Sequence, residues 1–366
     1  MLSIFVALIS CAPEPPPLPG LPVEAVTGYI REGVDDPGGW ARDLIAALQS
    51  ADLTVDAEHV CQVLAVVEQE SGYSADPAVP GLARIARRQI VAELSLLGPL
   101  AELGTDWLLG PTAEGADASF EARLAEVRTE RQLDELFRGL VLHHSRHAAS
   151  LPFTAGLIEG QLEQLNPVRT SGSMQVSVSW AQAAGERDGI PAATVRDLLY
   201  TRAGGLRWGT ARLFAHPASY DRPLYRFADY NAGLYASRNA ALQEQLSQMM
   251  ELPLRPDGDL MVHHGPGSTD DGETMGLLLA WRAMYAPELS ERTLRRDVAL
   301  EKEEGFEQTR TWNTLKATYR TRTGEEPAYA RVPDVALDSP KLSSDRTTAW
   351  FAESVERRYR ACLERG

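Results

Sequence analysis

Two carboxylates close a candidate helix in the run Val66-Val67-Glu68-Gln69-Glu70-Ser71-Gly72-Tyr73. A glutamate at a helix end that faces an apolar cleft can keep its proton near neutral pH, because desolvation disfavours the ionised form. Such a group can protonate a leaving oxygen, the step that glycosidic cleavage requires. At 100° per residue, Glu68 and Glu70 lie on opposite flanks of a Val60/Val63/Val67 stripe, each roughly 70–90° from its centre. The helical wheel therefore does not choose between them. Two polar stretches far downstream could supply binding groups: Gly172-Ser173-Met174-Gln175 and Tyr230-Asn231-Ala232-Gly233. Gly172 permits a tight approach or a positive φ. Gln175 offers a donor and acceptors to a hydroxyl or an N-acetyl group.

Histidine supplies no comparable pattern. His143-His144 and His263-His264 are adjacent pairs, which do not share a helix face, and no His-Glu-x-x-His run is present. Neither Cys61 nor Cys362 has a Cys or His at ligand spacing. The expectation is no metal site and surface or structural roles for the histidines.

The three stretches, in this order, resemble the core of the soluble lytic transglycosylases, relatives of goose-type lysozyme that cleave peptidoglycan. In that family the catalytic glutamate directly precedes the serine, so the resemblance selects Glu70 as catalytic. It implies substrate-binding roles for Ser71, Gly172, Ser173, Met174, Gln175, Tyr230 and Asn231. Residues 172–175 resemble the family's Gly-Leu-Met-Gln, with Ser173 in place of Leu. Residues 205–213 resemble its Asn-Ile-x-x-Gly-x-x-Tyr-Leu at Leu206, Gly209 and Leu213, and depart from it at Gly205 and Arg212. The implied activity is cleavage of the β-1,4 bond between N-acetylmuramic acid and N-acetylglucosamine, giving a 1,6-anhydro product with no metal or organic cofactor. Two alternatives stand beside it. One is a non-catalytic wall-binding or scaffold lipoprotein. The other is simple hydrolysis, for which Asp76 or Glu68 would be the nearby second carboxylate.

The elements that must position these residues read as mainly α. Asp56 is a plausible N-cap for a helix over residues 57–71. Further helices are expected over 85–97, 119–127, 130–144, 176–181, 193–200, 206–215, 235–250, 275–285 and 343–363, with a short strand at 261–264. The resemblance covers residues 56–73 and 168–250, so the expected fold is a lysozyme-like domain over residues 23–250. A long helical insertion over 74–171 interrupts it, and a helical extension over 251–366 follows.

The start of the chain bears on location. Residues 1–11 are apolar and end in Leu8-Ile9-Ser10-Cys11, which resembles a bacterial lipobox with a signal peptide over 1–10 and Cys11 as the lipidated residue. Six prolines between Ala12 and Pro22 make an extended spacer. Ala12 after the cysteine suits outer-membrane sorting. The layout is similar to the YaiW-type outer-membrane lipoproteins. Export to an oxidising compartment leaves two readings of Cys61 and Cys362, a disulfide or two independent buried thiols. The net charge of −15 argues against nucleic-acid binding and leaves no polybasic membrane patch. The expected partners are peptidoglycan strands and the membrane that holds the lipid anchor.

Overall fold

The computed structural model describes residues 20–95, 98, 101–110, 119–148, 166–265, 268–337 and 346–366. The lipobox and the expected lipidation at Cys11 lie outside the described residues. The described chain is mainly helical, with three two-stranded antiparallel ribbons.

The central element is α3 (Ala57–Glu70). It starts where the Asp56 carboxylate accepts the His59 backbone N–H at 2.8 Å, which satisfies an orphan donor of the first turn. From Val60 to Val67 every residue is buried, Gln62 included. The expected single apolar stripe is thus an enclosed segment, as in a helix with neighbours on all sides. Those neighbours are α1 (Val23–Tyr29), α2 (Pro37–Ser50), α10 (Arg202–Leu213) and α16 (Thr348–Leu363).

The insertion folds around its own apolar centre. Its helices are α4 (Leu82–Ser95), α5 (Ala101–Leu109), α6 (Phe120–Glu126) and α7 (Glu130–Ala148). Ile90, Leu109, Phe120, Leu124 and Phe137 pack together there, and Tyr200 joins them from the main body. After the insertion, β1 (Thr170–Ser171) pairs with β2 (Val176–Ser177), and the turn at residues 172–175 is their loop. Because residues 176–177 pair as a strand, α8 (Val178–Arg187) begins two residues later than the sequence suggested, capped by the Ser177 hydroxyl. Then come α9 (Ala192–Leu199), α10, α11 (Pro223–Ala232) and α12 (Ala236–Met250).

A third centre lies toward the C-terminus. Leu246 and Met249 of α12 pack there with α13 (Glu273–Tyr285), α14 (Glu291–Val298) and α15 (Arg310–Thr323), around Trp281, Leu294, Phe306 and Leu315. A ribbon of β3 (Val262–Gly265) and β4 (Ser268–Asp270) lies beside it. The region expected to form one extension is divided by packing. Past the ribbon of β5 (Ala336–Leu337) and β6 (Arg346–Thr347), α16 returns to the first centre. There Phe351, Ala352 and Val355 join the core that encloses α3. A disulfide joins Cys61 of α3 to Cys362 of α16, with Cα atoms 5.5 Å apart. No helix among the described residues is long and apolar enough to cross a membrane.

Candidate functional site

The floor of the site is a turn pressed onto two glycines. Gly172 has φ +80°, and a side chain there would run into the Leu199 carbonyl. Across the contact, a Cβ on Gly205 would meet the Ser173 hydroxyl at 2.8 Å, and one on Gly209 would meet the Met174 Cβ at 2.7 Å. The two departures from the family pattern, Ser173 and Gly205, therefore face each other. An asparagine at 205 has no room there. Gly172, Ser173 and Met174 are buried, so they shape the floor through backbone and packing, and no side chain of theirs opens to a ligand.

Gln175 is the part-exposed member of the turn, held with φ +51°, the left-handed region that non-glycine residues seldom adopt. Its amide is fixed at both ends. Thr170 Oγ1 donates to its Oε1 at 3.0 Å, and its Nε2 donates to Glu130 Oε2 at 2.9 Å. Glu130 opens helix α7 of the insertion and is only 2% exposed. The insertion thus reaches into the motif with a carboxylate.

Tyr230 sits in the last turn of α11, and Gly233 with φ +116° ends that helix. Its hydroxyl donates to the Met174 carbonyl at 2.8 Å, which ties α11 to the turn. Burial pushes the phenol's pKa up, the nearby Glu70 charge pushes it further, and Arg212 opposes both. Glu70, Met174 and Tyr230, far apart in sequence, thus share one locality. Just before Tyr230, the buried Asp229 accepts from Tyr220 at 2.6 Å, from the Ser237 N–H at 2.7 Å and pairs with His216 at 2.9 Å. This bracing fixes the end of α11 from behind.

Other expected binding residues turn elsewhere. The Ser71 hydroxyl donates back to the Val67 carbonyl at 3.0 Å. Asn231 is exposed, and its Oδ1 accepts from Thr348 Oγ1 of α16 at 2.9 Å. Asp76 accepts the Arg131 backbone N–H at 3.3 Å, which commits it to the insertion. Glu68 lies on the opposite flank of α3, 3.9 Å from both Arg358 and Arg365.

Residues 33–365 match a family described as "Protein of unknown function (DUF1615)". The chain belongs to that family. It is also 36% identical over 375 residues to "Uncharacterized protein YaiW" of Escherichia coli (strain K12), a match that covers 100% of this chain and 97% of that protein. No solved structure matches the chain. The DUF1615 match spans the insertion and α16, so the contacts of Glu130 and Thr348 with the motif residues lie inside the matched range.

Three residues of this DUF1615 chain escaped sequence reasoning. Thr170 and Glu130 bond Gln175, and Arg212 packs over the Trp180 ring at 5.7 Å beside Tyr230. For Glu130 no local signal existed, since its partner is 45 residues away. Arg212 was visible only as a departure from a tyrosine position. The histidines hold structural contacts. His144 meets the Leu108 carbonyl at 3.2 Å, and His264 pairs with Asp270 at 2.9 Å. His263 pairs with Glu301 at 2.6 Å, and with Asp259 these make a cluster whose ligand atoms lie within 4.8 Å of one another. The Lys302 ammonium on Asp259, at 2.5 Å, already supplies positive charge there, and Glu301 also accepts the Leu260 N–H. We read this cluster as an ion-pair clasp at the root of the β3–β4 ribbon. A hollow of about 240 Å³ at the root of the insertion is lined by residues 78–83, Val127 and Arg128, and none of the motif residues faces it.

Proposed function

We propose that the protein is a lipid-anchored enzyme of the outer membrane that cleaves peptidoglycan by lytic transglycosylation on a lysozyme-like core. The observation that carries this reading is the convergence of Glu70, the turn of Met174 and the hydroxyl of Tyr230 from three separate stretches of chain. In the reaction, the Glu70 carboxyl gives its proton to the oxygen linking N-acetylmuramic acid to N-acetylglucosamine, and the C1–O bond breaks. The resulting carboxylate takes the proton of the muramic 6-hydroxyl as that oxygen bonds to C1. The products are a 1,6-anhydro end and a free 4-hydroxyl, with no water consumed. One carboxylate suffices because the internal hydroxyl replaces both nucleophile and water, an advantage of effective molarity.

A second reading, a wall-binding protein without turnover, has its own support. The amide of Gln175 is engaged by Glu130 and Thr170, and Asn231 by Thr348, so groups that would hold a sugar already have protein partners. The deciding experiment incubates the full-length protein, in detergent, with purified sacculi and analyses the soluble products by mass spectrometry. Anhydro muropeptides support transglycosylation, and reducing ends would replace it with hydrolysis. Sedimentation with sacculi and no product between pH 4 and 8 would leave the binding reading.

A further inference from the structure

Among the described residues, Arg212 stands out as a charge with few partners. It lies in the last turn of α10, spaced three and seven residues from Gly209 and Gly205, so all three share one helix face. That face carries the turn at residues 172–175, and Arg212 continues it between the Trp180 ring and Tyr230. Four other arginines bury a nitrogen without a hydrogen-bond partner, but each is secured through a second one. Arg196 reaches Asp134 at 2.6 Å, Arg138 reaches Asp197 at 2.7 Å, and Arg282 and Arg358 each reach a carbonyl at 3.0 Å. Arg212 differs. Its Nη1 is buried with no partner, and it enters none of the ion pairs among the described residues.

A guanidinium drawn partly out of water, whose nearby carboxylate Asp229 is bonded to His216, Tyr220 and Ser237 and not to it, is left short of partners, and it presents a planar fork suited to a carboxylate. The fold gains little from it besides the stacking on Trp180. We propose that Arg212 is an anion subsite next to Tyr230 that receives a carboxylate carried by the glycan strand. This rests on the reading of the site as a peptidoglycan cleft and adds to it a selection for acidic over neutral chitin-like strands. Two carboxylates have the right chemistry: the lactyl group, which is free where the peptide has been removed, and those of the stem peptides.

The test measures binding of the full-length protein, wild type, Arg212→Gln and Arg212→Lys, to four ligands. These are intact sacculi, amidase-stripped strands, stripped strands with methyl-esterified carboxylates, and chitin oligosaccharide. The expected result is that wild type binds a free-carboxylate form on the order of 10–100-fold more tightly than the esterified strands and chitin. Arg212→Gln is expected to lose that preference without a fall in melting temperature, and Arg212→Lys to regain part of it. A preference for stripped strands assigns the lactyl group, and one for intact sacculi assigns the peptide. Equal wild-type binding to free and esterified strands overturns the subsite, as does Arg212→Gln that binds like wild type. A large drop in melting temperature with the preference intact also overturns it, since the arginine is then structural. Wild type that binds no glycan at all overturns the parent reading instead.

Discussion

The two flanks of α3 face different things. Glu68, on one side, meets α16 across 3.9 Å gaps to Arg358 and Arg365, and its charge helps burial push the Tyr73 phenol upward. Glu70, two residues on, lies near Tyr230 and the turn that Tyr230 holds. Both glutamates are partly buried on one helix end, so burial alone does not separate them. The partners do. One flank is anchored by arginines and a disulfide to the end of the chain; the other meets the polar stretches expected to handle substrate. A helix with a braced side and a working side can hold a catalytic group rigidly, which is what positioned acid catalysis needs.

The largest expected effect tests the working side. Glu70→Gln keeps the shape and removes the proton that a general acid must give, so wall cleavage should fall by about 10²–10⁴-fold. Release of anhydro muropeptides measures it, with sedimentation on sacculi as the control for retained binding. Full activity in this variant would place the acid elsewhere.

The next prediction tests the brace. The Cys61–Cys362 disulfide closes a sequence separation of 301 residues and joins α16 to the helix that carries Glu70. Removing such a link should lower stability by about 2–5 kcal/mol. Denaturant titration of Cys362→Ser against wild type should show this, with product chemistry unchanged at temperatures where the variant stays folded. An equal midpoint in reduced and oxidised wild type would mean that the disulfide does not bear on folding.

A smaller effect is expected where the insertion touches the working side. Glu130→Ala removes the charged acceptor of the part-exposed Gln175 amide and leaves its Nε2 only the Gly172 carbonyl at 3.4 Å, and loss of a hydrogen bond to a charged group costs about 1–3 kcal/mol. The activity readout separates two roles. If Glu130 holds Gln175 in place for sugar, cleavage falls together with stability. If Glu130 withholds Gln175 from sugar, binding to sacculi rises as stability falls, which favours the binding reading.

What the sequence disclosed follows from the range of the interactions. Asp56 as a cap, α12 ending at Met250 and the short strand near residue 262 depend on neighbours within a few positions, and they were legible. The enclosure of α3 was not, because α16 arrives from the far end of the chain to cover its second face. Helix α2, opened by Pro37 with Asp36 as its cap, was missed although its start signals were local. The helix that carries Tyr230, begun at Pro223 and ended by Gly233, was not among those expected from the sequence. The motif residues Gly172, Gln175 and Tyr230 were named from their types. That Ser173 and Met174 are floor and not lining depends on Gly205 and Gly209, which no reading of residues 172–175 alone could supply.

The smallest expected effect is the sharpest test of the comparison between flanks. Glu68→Gln removes a carboxylate whose two arginine partners stand at 3.9 Å, too far for good hydrogen bonds, with the groups between about a quarter and a third exposed. Ion pairs of this kind contribute about 0–1 kcal/mol, and water screens them further. The amide keeps the side chain's size, so packing against α16 persists, and Arg358 retains its bonds to Ser354. Stability should change by less than about 1 kcal/mol, and the yield of anhydro products should stay within a few-fold of wild type. Denaturant midpoints and product analysis made alongside Glu70→Gln give the decisive contrast. If Glu68→Gln abolishes cleavage while Glu70→Gln leaves it intact, the working side of α3 is the one that faces α16, and the site must be rebuilt around Arg358, Arg365 and Tyr73.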